Sequence, residues 1–231
     1  MPTTIDFQSD RPADRHHMVE QIERHFLETG TQTGEPTLFE PVREALESVP
    51  RHEFVPISSA HRAYDDAPLP IGSGQTISQP FIVALMTQLA RIEPTSVVLE
   101  VGTGCGFQTA VLAELTSHVL SIERVPELAA RAAATLERLG YKGVEIRSGD
   151  GYAGWSERSP FDAIVVTAGA NEVPPPLVEQ LAPNGRLVIP VSTKRGYQDL
   201  LVLTKDGKGE ASTRSVLPVA FVPLIHDSRS S

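Results

Sequence analysis

The chain has 231 residues, of which 40% are hydrophobic and 21% charged, and its formal net charge is −9. This length suits one α/β domain with a sizeable core, and this composition excludes a disordered or fibrous chain. Proteins that grip a nucleic-acid backbone present basic residues, so the acidic balance disfavours nucleic acid as a partner.

Membrane segments, targeting signals and cysteine usage are also constrained by the sequence. No apolar run reaches the length of a membrane span, and residues 1–15 lack the apolar core of a secretory signal. The single cysteine, Cys105, excludes an internal disulfide framework and is typical of a reducing compartment. The histidines are scattered without metal-ligand spacing. We therefore expect a cytoplasmic protein with no membrane partner and no metal site.

In chain order, residues 1–60 are predicted to form an N-terminal helical cap. Apolar residues recur at helical spacing over residues 18–27, and again over residues 42–49, where Pro50 ends the pattern. The stretch 29–36 between them is rich in threonine and glycine, and we expect a loop there. Residues 61–231 are predicted to form a second part, which makes one structural unit with the cap.

Strands and helices are predicted to alternate from residue 96 onward. The strands are expected at residues 96–101, 118–123, 144–147, 161–167, 186–191, 200–204 and 220–224, and the helices at 109–115, 126–139 and 176–181. The first strand is a nearly continuous β-branched run, which is typical of a strand buried on both faces. The alternation predicts an α/β fold, with a Rossmann-like, doubly wound and mostly parallel sheet.

A glycine loop follows the first predicted strand, at Gly102, Gly104 and Gly106. Glycines at this point allow a tight strand-to-helix turn and let a ligand approach the backbone closely. A dinucleotide-binding loop follows the pattern G-x-G-x-x-G, but Phe107 occupies the place of its third glycine. The spacing therefore departs from the pyrophosphate-binding pattern.

Two acidic residues lie at the carboxyl ends of the next two predicted strands. Glu123 stands where a carboxylate can accept hydrogen bonds from both hydroxyls of a ribose, and Asp150 where it can accept one from an adenine amino group. Taken singly, Glu123 is explained as a solvated strand end, and Asp150 as part of an Asp-Gly turn with Gly151. Together with the glycine loop they follow successive strands, at the edge where open α/β sheets bind ligands. This combination favours a phosphate-free adenosyl ligand with a positive sulfonium, S-adenosyl-L-methionine.

Cys105 lies within the glycine loop and invites comparison with a catalytic nucleophile. Methyl transfer from a sulfonium is a direct displacement that needs no covalent enzyme intermediate, and no histidine lies nearby in the sequence to activate a thiolate. We interpret Cys105 as a small residue tolerated in a crowded loop.

The segment 64–80 ends with Ser78 and Pro80, just before an apolar run at helical spacing. A serine hydroxyl and free backbone N–H groups at a helix N-terminus can bind a carboxylate. Serine is also a preferred helix cap, and from residue type and position alone the capping role is favoured.

The same segment resembles the signature of protein-L-isoaspartate O-methyltransferases. Further stretches match this family in order, at residues 49–56, 98–104, 149–151, 160–168, 187–191 and 221–224. The resemblance spans roughly residues 18–224 and includes motifs outside the cofactor-binding part of the fold.

The resemblance implies an enzyme that methylates the free carboxylate of L-isoaspartyl residues in damaged peptides and proteins, starting their repair through a succinimide. The implied donor is S-adenosyl-L-methionine, and we expect a monomer. The implied catalytic residue is Ser78, which contacts the substrate carboxylate. The implied cofactor contacts are Gln75, Thr76, Ile77, Ser78, Gly102, Thr103, Gly104, Cys105, Gly106, Glu123, Arg124, Asp150 and Gly151.

Two departures from the family pattern stand out. Cys105 occupies a place where the family usually has serine, which puts a hydroxyl contact to the cofactor in doubt. Gly169 belongs to a stretch that is richer in glycine than the usual alanine run, and this difference can alter the wall near the substrate.

Three other functions compete with this one. A nucleic-acid amino methyltransferase commonly has Asn or Asp followed by two prolines and an aromatic residue after the fourth strand, but here Asn171 is separated from Pro174 by two residues. An enzyme that methylates an aspartate in one dedicated peptide can share this family's sequence, and the lack of a long extra domain disfavours it mildly. A binding module without catalysis is disfavoured by the intact glycine loop and Ser78.

Overall fold

The computed structural model describes residues 10–226, which form nine strands, six α-helices and four short 3₁₀ turns. The strands are β1 (Leu69–Gly72), β2 (Gln75–Ile77), β3 (Val97–Val101), β4 (His118–Glu123), β5 (Val144–Ser148), β6 (Phe161–Val166), β7 (Leu181–Ser192), β8 (Gln198–Lys205) and β9 (Ala211–Val219). The helices are α1 (Pro12–Thr33), α2 (Glu40–Ser48), α3 (Pro80–Ala90), α4 (Phe107–Leu115), α5 (Pro126–Arg138) and α6 (Pro175–Glu179). The 3₁₀ turns lie at Arg51–Phe54, Ile57–Arg62, Gly151–Ala153 and Ser156–Arg158.

Seven strands form one sheet in the order β5-β4-β3-β6-β7-β8-β9, and β1 and β2 form a separate antiparallel hairpin. The strands from β5 to β7 pair in parallel, whereas β8 and β9 run antiparallel at the far edge. The chain passes from β3 to β4 and β5 on one side, and then to β6 and β7 on the other. This arrangement confirms the predicted doubly wound, mostly parallel α/β fold. It also creates a switch point between β3 and β6, where such sheets bind ligands.

The central strand β3 is buried on both faces, as its apolar run predicts. Val98 belongs to a hydrophobic cluster that includes Leu85 of α3, whereas Leu99 belongs to a second cluster with Ile164 of β6. Successive side chains of a strand point to opposite faces, so these two clusters cover the two sides of the sheet. Packing on both sides holds the end of β3, from which the glycine loop starts.

Helix α1 runs further than the sequence predicts. The expected loop at residues 29–36 is wrong in its first half, because the helix continues to Thr33. The hydroxyl of Thr29 donates to the carbonyl of His25 at 2.7 Å, and that of Thr33 donates to Thr29 at 3.1 Å, so both threonines satisfy their hydroxyls inside the helix. Gly34, with φ of 74°, ends the helix in the left-handed conformation.

One face of α1 is apolar and buried. Its fully buried apolar side chains are Met18, Ile22 and Phe26. They share a hydrophobic cluster with residues of α2 and α3. The division into a cap at residues 1–60 and a second part remains a prediction, and residues 1–9 and 227–231 of it lie outside the described residues. Within residues 10–226, no helix combines the length and the apolar character needed to cross a bilayer.

The C-terminal end of the sheet differs from the prediction. The last strand is β9 at Ala211–Val219, whereas the apolar run at 220–224, expected to be a strand, forms only an isolated bridge between Gly169 and Pro223. Five successive residues of β9 from its start are exposed, so this edge strand lacks the apolar pattern that marks a buried one. Proline has no N–H to donate, which limits pairing in the later run.

Candidate active site

Ser78 directly follows β2, the second strand of the hairpin, and lies beside the carboxyl edge of the sheet. Ser73 and Gly74 form the turn of this hairpin, with positive φ angles of 52° and 70°. Arg131 of α5 donates from Nη2 to the carbonyl of Ile71 at 2.8 Å. The hairpin is thus tied to the helix that follows β4, and it delivers Ser78 to a defined place.

The glycine loop follows β3 and adopts the left-handed backbone three times. Gly102, Gly104 and Gly106 have φ angles of 100°, 57° and 93°, which residues with a Cβ rarely adopt. A Cβ on Gly102 would also collide with the hydroxyl of Thr167, which donates to the carbonyl of Gly102 at 2.6 Å. The N–H of Gly102 donates to Ile122 of β4 at 2.8 Å. The loop is therefore fixed to β4 and to Thr167, which follows β6. Gly102 and Gly104 line the inner cavity without a side chain.

Glu123 ends β4 directly beside this loop. One of its oxygens accepts the N–H of Gly104 at 2.7 Å, and the other accepts the N–H of Val125 at 2.8 Å. Each carboxylate oxygen has two lone pairs, so each keeps one for a further donor. The side chain is thereby oriented as an acceptor for a diol, which suits the two hydroxyls of a ribose.

Asp150 caps the short turn that follows β5. Its Oδ1 accepts the N–H of Tyr152 at 2.9 Å, and its Oδ2 lies 2.7 Å from Nδ1 of His226. The rings of Tyr152 and His226 stack with centroids 4.2 Å apart. The C-terminal end of the described chain therefore contacts the carboxylate that the sequence assigns to the adenine.

Two concave spaces meet at this edge of the sheet. The inner cavity is lined by residues 75–78, 83, 101–105, 107–108, 122–125, 151, 167–168 and 222–225. The outer groove, with a volume of about 620 Å³, is lined by residues 25, 28–29, 68, 76, 78–79, 81–82, 167 and 217–222. Thr76, Ser78, Thr167 and Val222 line both spaces. A small ligand in the cavity and a larger one in the groove would touch at these residues.

The structure contradicts the capping role that residue type alone favours for Ser78. The cap of α3 comes from Asp66, whose Oδ1 accepts the N–H of Phe81 at 2.9 Å and whose Oδ2 accepts from the amide of Gln79 at 3.0 Å. Within residues 10–226, the hydroxyl of Ser78 forms no hydrogen bond. It is therefore available to a ligand at the junction of the two spaces.

Arg51 forms a hydrogen bond with the main chain of Ser78. Its side chain is fully buried, and it donates to the carbonyl of Ser78 at 2.7 Å and to that of Ala63 at 2.8 Å. Its guanidinium also lies over the ring of Phe107, 4.6 Å from the centroid. Burial lowers the pKa of Arg51 to about 10, so the guanidinium stays charged at neutral pH. Arg51 thus joins Ser78 to α4, the helix after the glycine loop.

The environment of Cys105 argues against a nucleophilic role. Desolvation raises the pKa of the thiol to about 11, so it is protonated at neutral pH. Cys105 lines the inner cavity as a small, neutral side chain.

A further carboxyl group, Glu100, lies beneath the glycine loop and is fully buried. Its Oε2 accepts hydrogen bonds from the hydroxyls of Thr109 and Ser121, each at 2.5 Å, and Oε1 has no partner among the described residues. Burial raises the pKa of Glu100 to about 7. Glu100 is thus protonated at a higher pH in the folded chain than an exposed glutamate is.

The structure gathers most of the predicted site residues around the inner cavity. Those that line it are Gln75, Thr76, Ile77, Ser78, Gly102, Thr103, Gly104, Cys105, Glu123, Arg124 and Gly151. Two do not. Gly106 directly precedes α4, where an added Cβ would lie 3.2 Å from Leu136, and Asp150 stands one residue before the lining residue Gly151. Their individual roles toward a ligand remain predictions.

Sequence reasoning missed three contributors to the site. Thr167 stands at the end of β6 and separates the two spaces, a position that its place after a predicted strand could have indicated. Asp66 acts on a helix that starts 14 residues later, a tertiary contact with no local signal. The segment 222–225 crosses the inner cavity although the sequence predicts only a sheet strand there.

The inner cavity fits the ligand that the sequence predicts. It offers a glycine turn without side chains and a carboxylate oriented toward a diol. A doubly wound sheet with such a cavity at its switch point, opening onto a groove, defines an S-adenosyl-L-methionine-dependent methyltransferase.

Comparisons with known proteins give the family. The model of the protein-L-isoaspartate (D-aspartate) O-methyltransferase family matches residues 24–229, and the chain belongs to this family. It is 54% identical to protein-L-isoaspartate O-methyltransferase 2 of Polaromonas sp., over 90% of this chain and 98% of that protein. It is 52% identical to the enzyme of the same name from Syntrophobacter fumaroxidans, over 92% of this chain and 86% of that protein.

A solved structure agrees with this assignment. A Plasmodium falciparum protein assigned to the same family, crystallised with S-adenosyl-L-homocysteine, superposes with a TM-score of 0.75 at 26% identity. The match covers 91% of this chain and 98% of that one. The family resemblance and the methyl donor predicted from the sequence are thereby confirmed.

Proposed function

We propose that this chain transfers a methyl group from S-adenosyl-L-methionine to the free carboxylate of L-isoaspartyl residues in damaged peptides and proteins. The acceptor is an extended peptide in the outer groove, and the donor lies in the inner cavity. The observation that carries the proposal is the junction of the two spaces at Thr76, Ser78, Thr167 and Val222. A reaction between a small ligand and a peptide requires such a junction.

The donor supplies a methyl carbon made electrophilic by its sulfonium. Glu123 is suited to hold the ribose hydroxyls with its free lone pairs, and the backbone of Gly102 to Gly106 is suited to lie against the amino-acid part of the donor. Asp150, next to the lining at Gly151, is assigned to the adenine. These assignments rest on the geometry and on the family resemblance.

The acceptor carboxylate needs no general base. A carboxyl group has an ordinary pKa of about 4, so at neutral pH the nucleophile is already ionised. The task of the chain is to align this anion with the methyl carbon and to exclude water. The free hydroxyl of Ser78 can donate a hydrogen bond to one carboxylate oxygen and leave the other to attack.

The consequence of the reaction follows from the chemistry of the ester. The neighbouring backbone nitrogen attacks the methyl ester, methanol leaves and a succinimide forms, whose hydrolysis returns part of the material to normal aspartate. We further propose that the enzyme acts as a cytoplasmic monomer and has no nucleic-acid partner. Its sedimentation or elution at the mass of one 25.0 kDa chain would test the monomer.

Tritium transfer from labelled S-adenosyl-L-methionine to two matched peptides tests the function. The peptides share one sequence and contain either Asp or isoAsp at one position. We expect base-labile label on the isoAsp peptide alone. In isoAsp the main chain runs through the side-chain carbonyl and leaves the α-carboxylate free on Cα, whereas the free carboxylate of Asp lies one methylene further from Cα. Equal labelling of both peptides, or label on RNA alone, would reject the proposal.

A further inference from the structure

A short wall separates the inner cavity from the outer groove. Residues 221–224, called here the wall segment, follow β9 without forming a regular strand. Phe221 and Val222 line the outer groove, and Val222 to Leu224 line the inner cavity. The position of the wall segment therefore sets the shape of both spaces.

The backbone fixes the wall segment at its far end. The N–H of Gly169 donates to the carbonyl of Val222 at 2.8 Å, and the N–H of Leu224 donates to the carbonyl of Gly169 at 2.8 Å. These two bonds tie the part that faces the inner cavity to the end of β6. They leave Phe221, which faces the groove, without a backbone partner of this kind.

A side chain completes the pairing at Phe221. Gln198 accepts the N–H of Phe221 at Oε1, at 2.7 Å, and donates from Nε2 to the carbonyl of Phe221 at 3.1 Å. The side-chain amide thus replaces the peptide group of a neighbouring strand. Gln198 itself starts β8 and pairs there with Ser192 and Val219, so its backbone is held on both sides.

Gly169 makes room for this side chain. A Cβ at Gly169 would collide with the amide of Gln198. The glycine that departs from the family's alanine run therefore stands where the amide of Gln198 reaches the wall segment. The departure is explained by packing against Gln198 and not by a need for unusual backbone angles, since its φ is not in the left-handed region.

We propose that Gln198 is a positioning residue for the peptide substrate. By holding the main chain of Phe221 it sets the wall against which the acceptor peptide lies, next to Ser78. Because Val222 and Leu224 are held separately by Gly169, the side of the wall that faces the donor depends less on Gln198. The inference rests on the proposed function, and it assigns Gln198 to peptide binding without contact with the reacting atoms.

Gln198→Met tests the proposal, because methionine matches glutamine in length and volume but provides neither hydrogen bond. We expect KM for the isoAsp peptide to rise about tenfold, the size expected when two neutral hydrogen bonds are lost. kcat should stay within threefold, and the Kd for S-adenosyl-L-homocysteine within twofold. Hydrogen exchange of a peptide fragment covering residues 217–224 should accelerate.

Gln180→Met is a matched control. The amide of Gln180 also forms two hydrogen bonds with the main chain: it accepts from the N–H of Trp155 at 2.7 Å and donates to the carbonyl of Ala153 at 2.8 Å. Gln180 lines neither the inner cavity nor the outer groove. We expect this variant to lose stability as Gln198→Met does, while KM for the peptide stays within twofold of the wild-type value.

The outcomes separate this proposal from the proposed function. An unchanged peptide KM in Gln198→Met, or an equal rise in Gln180→Met, would overturn the positioning role. If Gln198→Met does not fold, Gln198→Asn, which keeps the amide but is one methylene too short, is expected to show the same rise in KM. A wild-type enzyme that labels no isoAsp peptide would instead reject the proposed function.

Discussion

Two side chains near the start of α3 differ in what they contact. Asp66 accepts the N–H of Phe81 and the amide of Gln79, whereas the hydroxyl of Ser78 forms no hydrogen bond in the described part of the chain. The helix is therefore capped from outside the local sequence. At the scale of single residues, this separates a structural carboxylate from a serine that remains available to substrate.

Alanine substitution is expected to affect activity at Ser78 and stability at Asp66. Ser78→Ala is expected to lower kcat/KM for an isoAsp peptide by tenfold or more, because a hydrogen bond to a charged group contributes about 1.5–3 kcal/mol. Its free energy of unfolding should not change. Asp66→Ala is expected to cost about 1 kcal/mol or more of stability, as the loss of a helix cap does.

Urea unfolding and steady-state kinetics of both variants measure this contrast. Ser58→Ala, an exposed serine away from both spaces, serves as the control. A Ser78→Ala variant that loses stability but keeps its rate would return Ser78 to a capping role.

Glu100 predicts a pH dependence of stability. Its pKa is raised from an ordinary 4.5 to about 7, mainly by burial. The protonated form is therefore favoured in the folded chain, and the stability that this proton provides is complete below pH 4.5 and is lost as the pH rises through 7. Glu100→Gln, which stays neutral, should gain stability relative to the wild type over this range, on the order of 3 kcal/mol by pH 8.

Thermal unfolding of Glu100→Gln and wild type at pH 5.5 and pH 8 checks this prediction. The difference in Tm, variant minus wild type, should increase between the two values. A difference that shrinks or stays constant would show that Glu100 carries its charge in the folded protein. Glu114→Gln, a carboxyl group outside the buried core, controls for general charge removal.

At the scale of elements, the glycine loop is the most constrained part of the site. Gly102 has a φ of 100°, and a Cβ there would collide with the hydroxyl of Thr167. Gly102→Ala is expected to weaken S-adenosyl-L-homocysteine binding at least tenfold, because the strained loop must shift away from β6. Isothermal titration calorimetry measures this affinity.

Gly207→Ala is the matched control for the loop. Its nearest neighbour would lie 3.7 Å from the new Cβ, an ordinary contact, and its φ is not in the left-handed region. Its affinity for S-adenosyl-L-homocysteine should equal that of the wild type. An unchanged affinity in Gly102→Ala as well would remove the glycine loop from the binding site.

How well each element could be predicted follows from where its stabilising contacts come from. β4 was predicted at its observed bounds and β3 within one residue, because both are buried and their apolar runs record that burial. The hairpin of β1 and β2 was not predicted, since its register depends on a two-residue turn at Ser73. β9 is largely exposed and shows no apolar pattern. The wall segment is apolar but is held by Gln198, a contact far away in sequence.

The same difference applies to the candidate site. The positions of the glycine loop, Glu123 and Asp150 at this edge of the sheet could be predicted, because each lies at the carboxyl end of a strand and parallel strands bring these ends together. The capping of α3 by Asp66 and the position of residues 222–225 in the lining of the inner cavity could not be predicted, because both depend on tertiary contacts. The role proposed for Ser78 rests on the family resemblance, since residue type alone favours the capping role that the structure contradicts.

At the scale of the whole molecule, the sheet provides one half of the site and the chain outside it provides the other. The donor side consists of loops after β3, β4 and β5, which the doubly wound topology brings together. The proposed acceptor side consists of residues of α1, residues 76–82 around Ser78, and residues 217–222 at the end of β9 and after it. Arg214 of β9 donates to the carbonyl of Thr33 at 2.8 Å, so the two walls of the groove are tied to each other.

This arrangement defines the direction in which the methyl group of the donor points. In the proposed function the donor lies in the inner cavity against the glycine loop, and its methyl carbon faces the residues that both spaces share in the described chain, among them Ser78 and Val222. Alignment of this kind, more than acid–base chemistry, accounts for the rate when the nucleophile is already an anion.

A crystal structure of the protein with S-adenosyl-L-homocysteine and an isoAsp peptide shows whether the sulfur of the cofactor faces Ser78. The account predicts the ribose hydroxyls on Glu123, the sulfur facing the junction, and a peptide carboxylate between that sulfur and the hydroxyl of Ser78. A sulfur that points away from Ser78, or a peptide bound outside the outer groove, would contradict it.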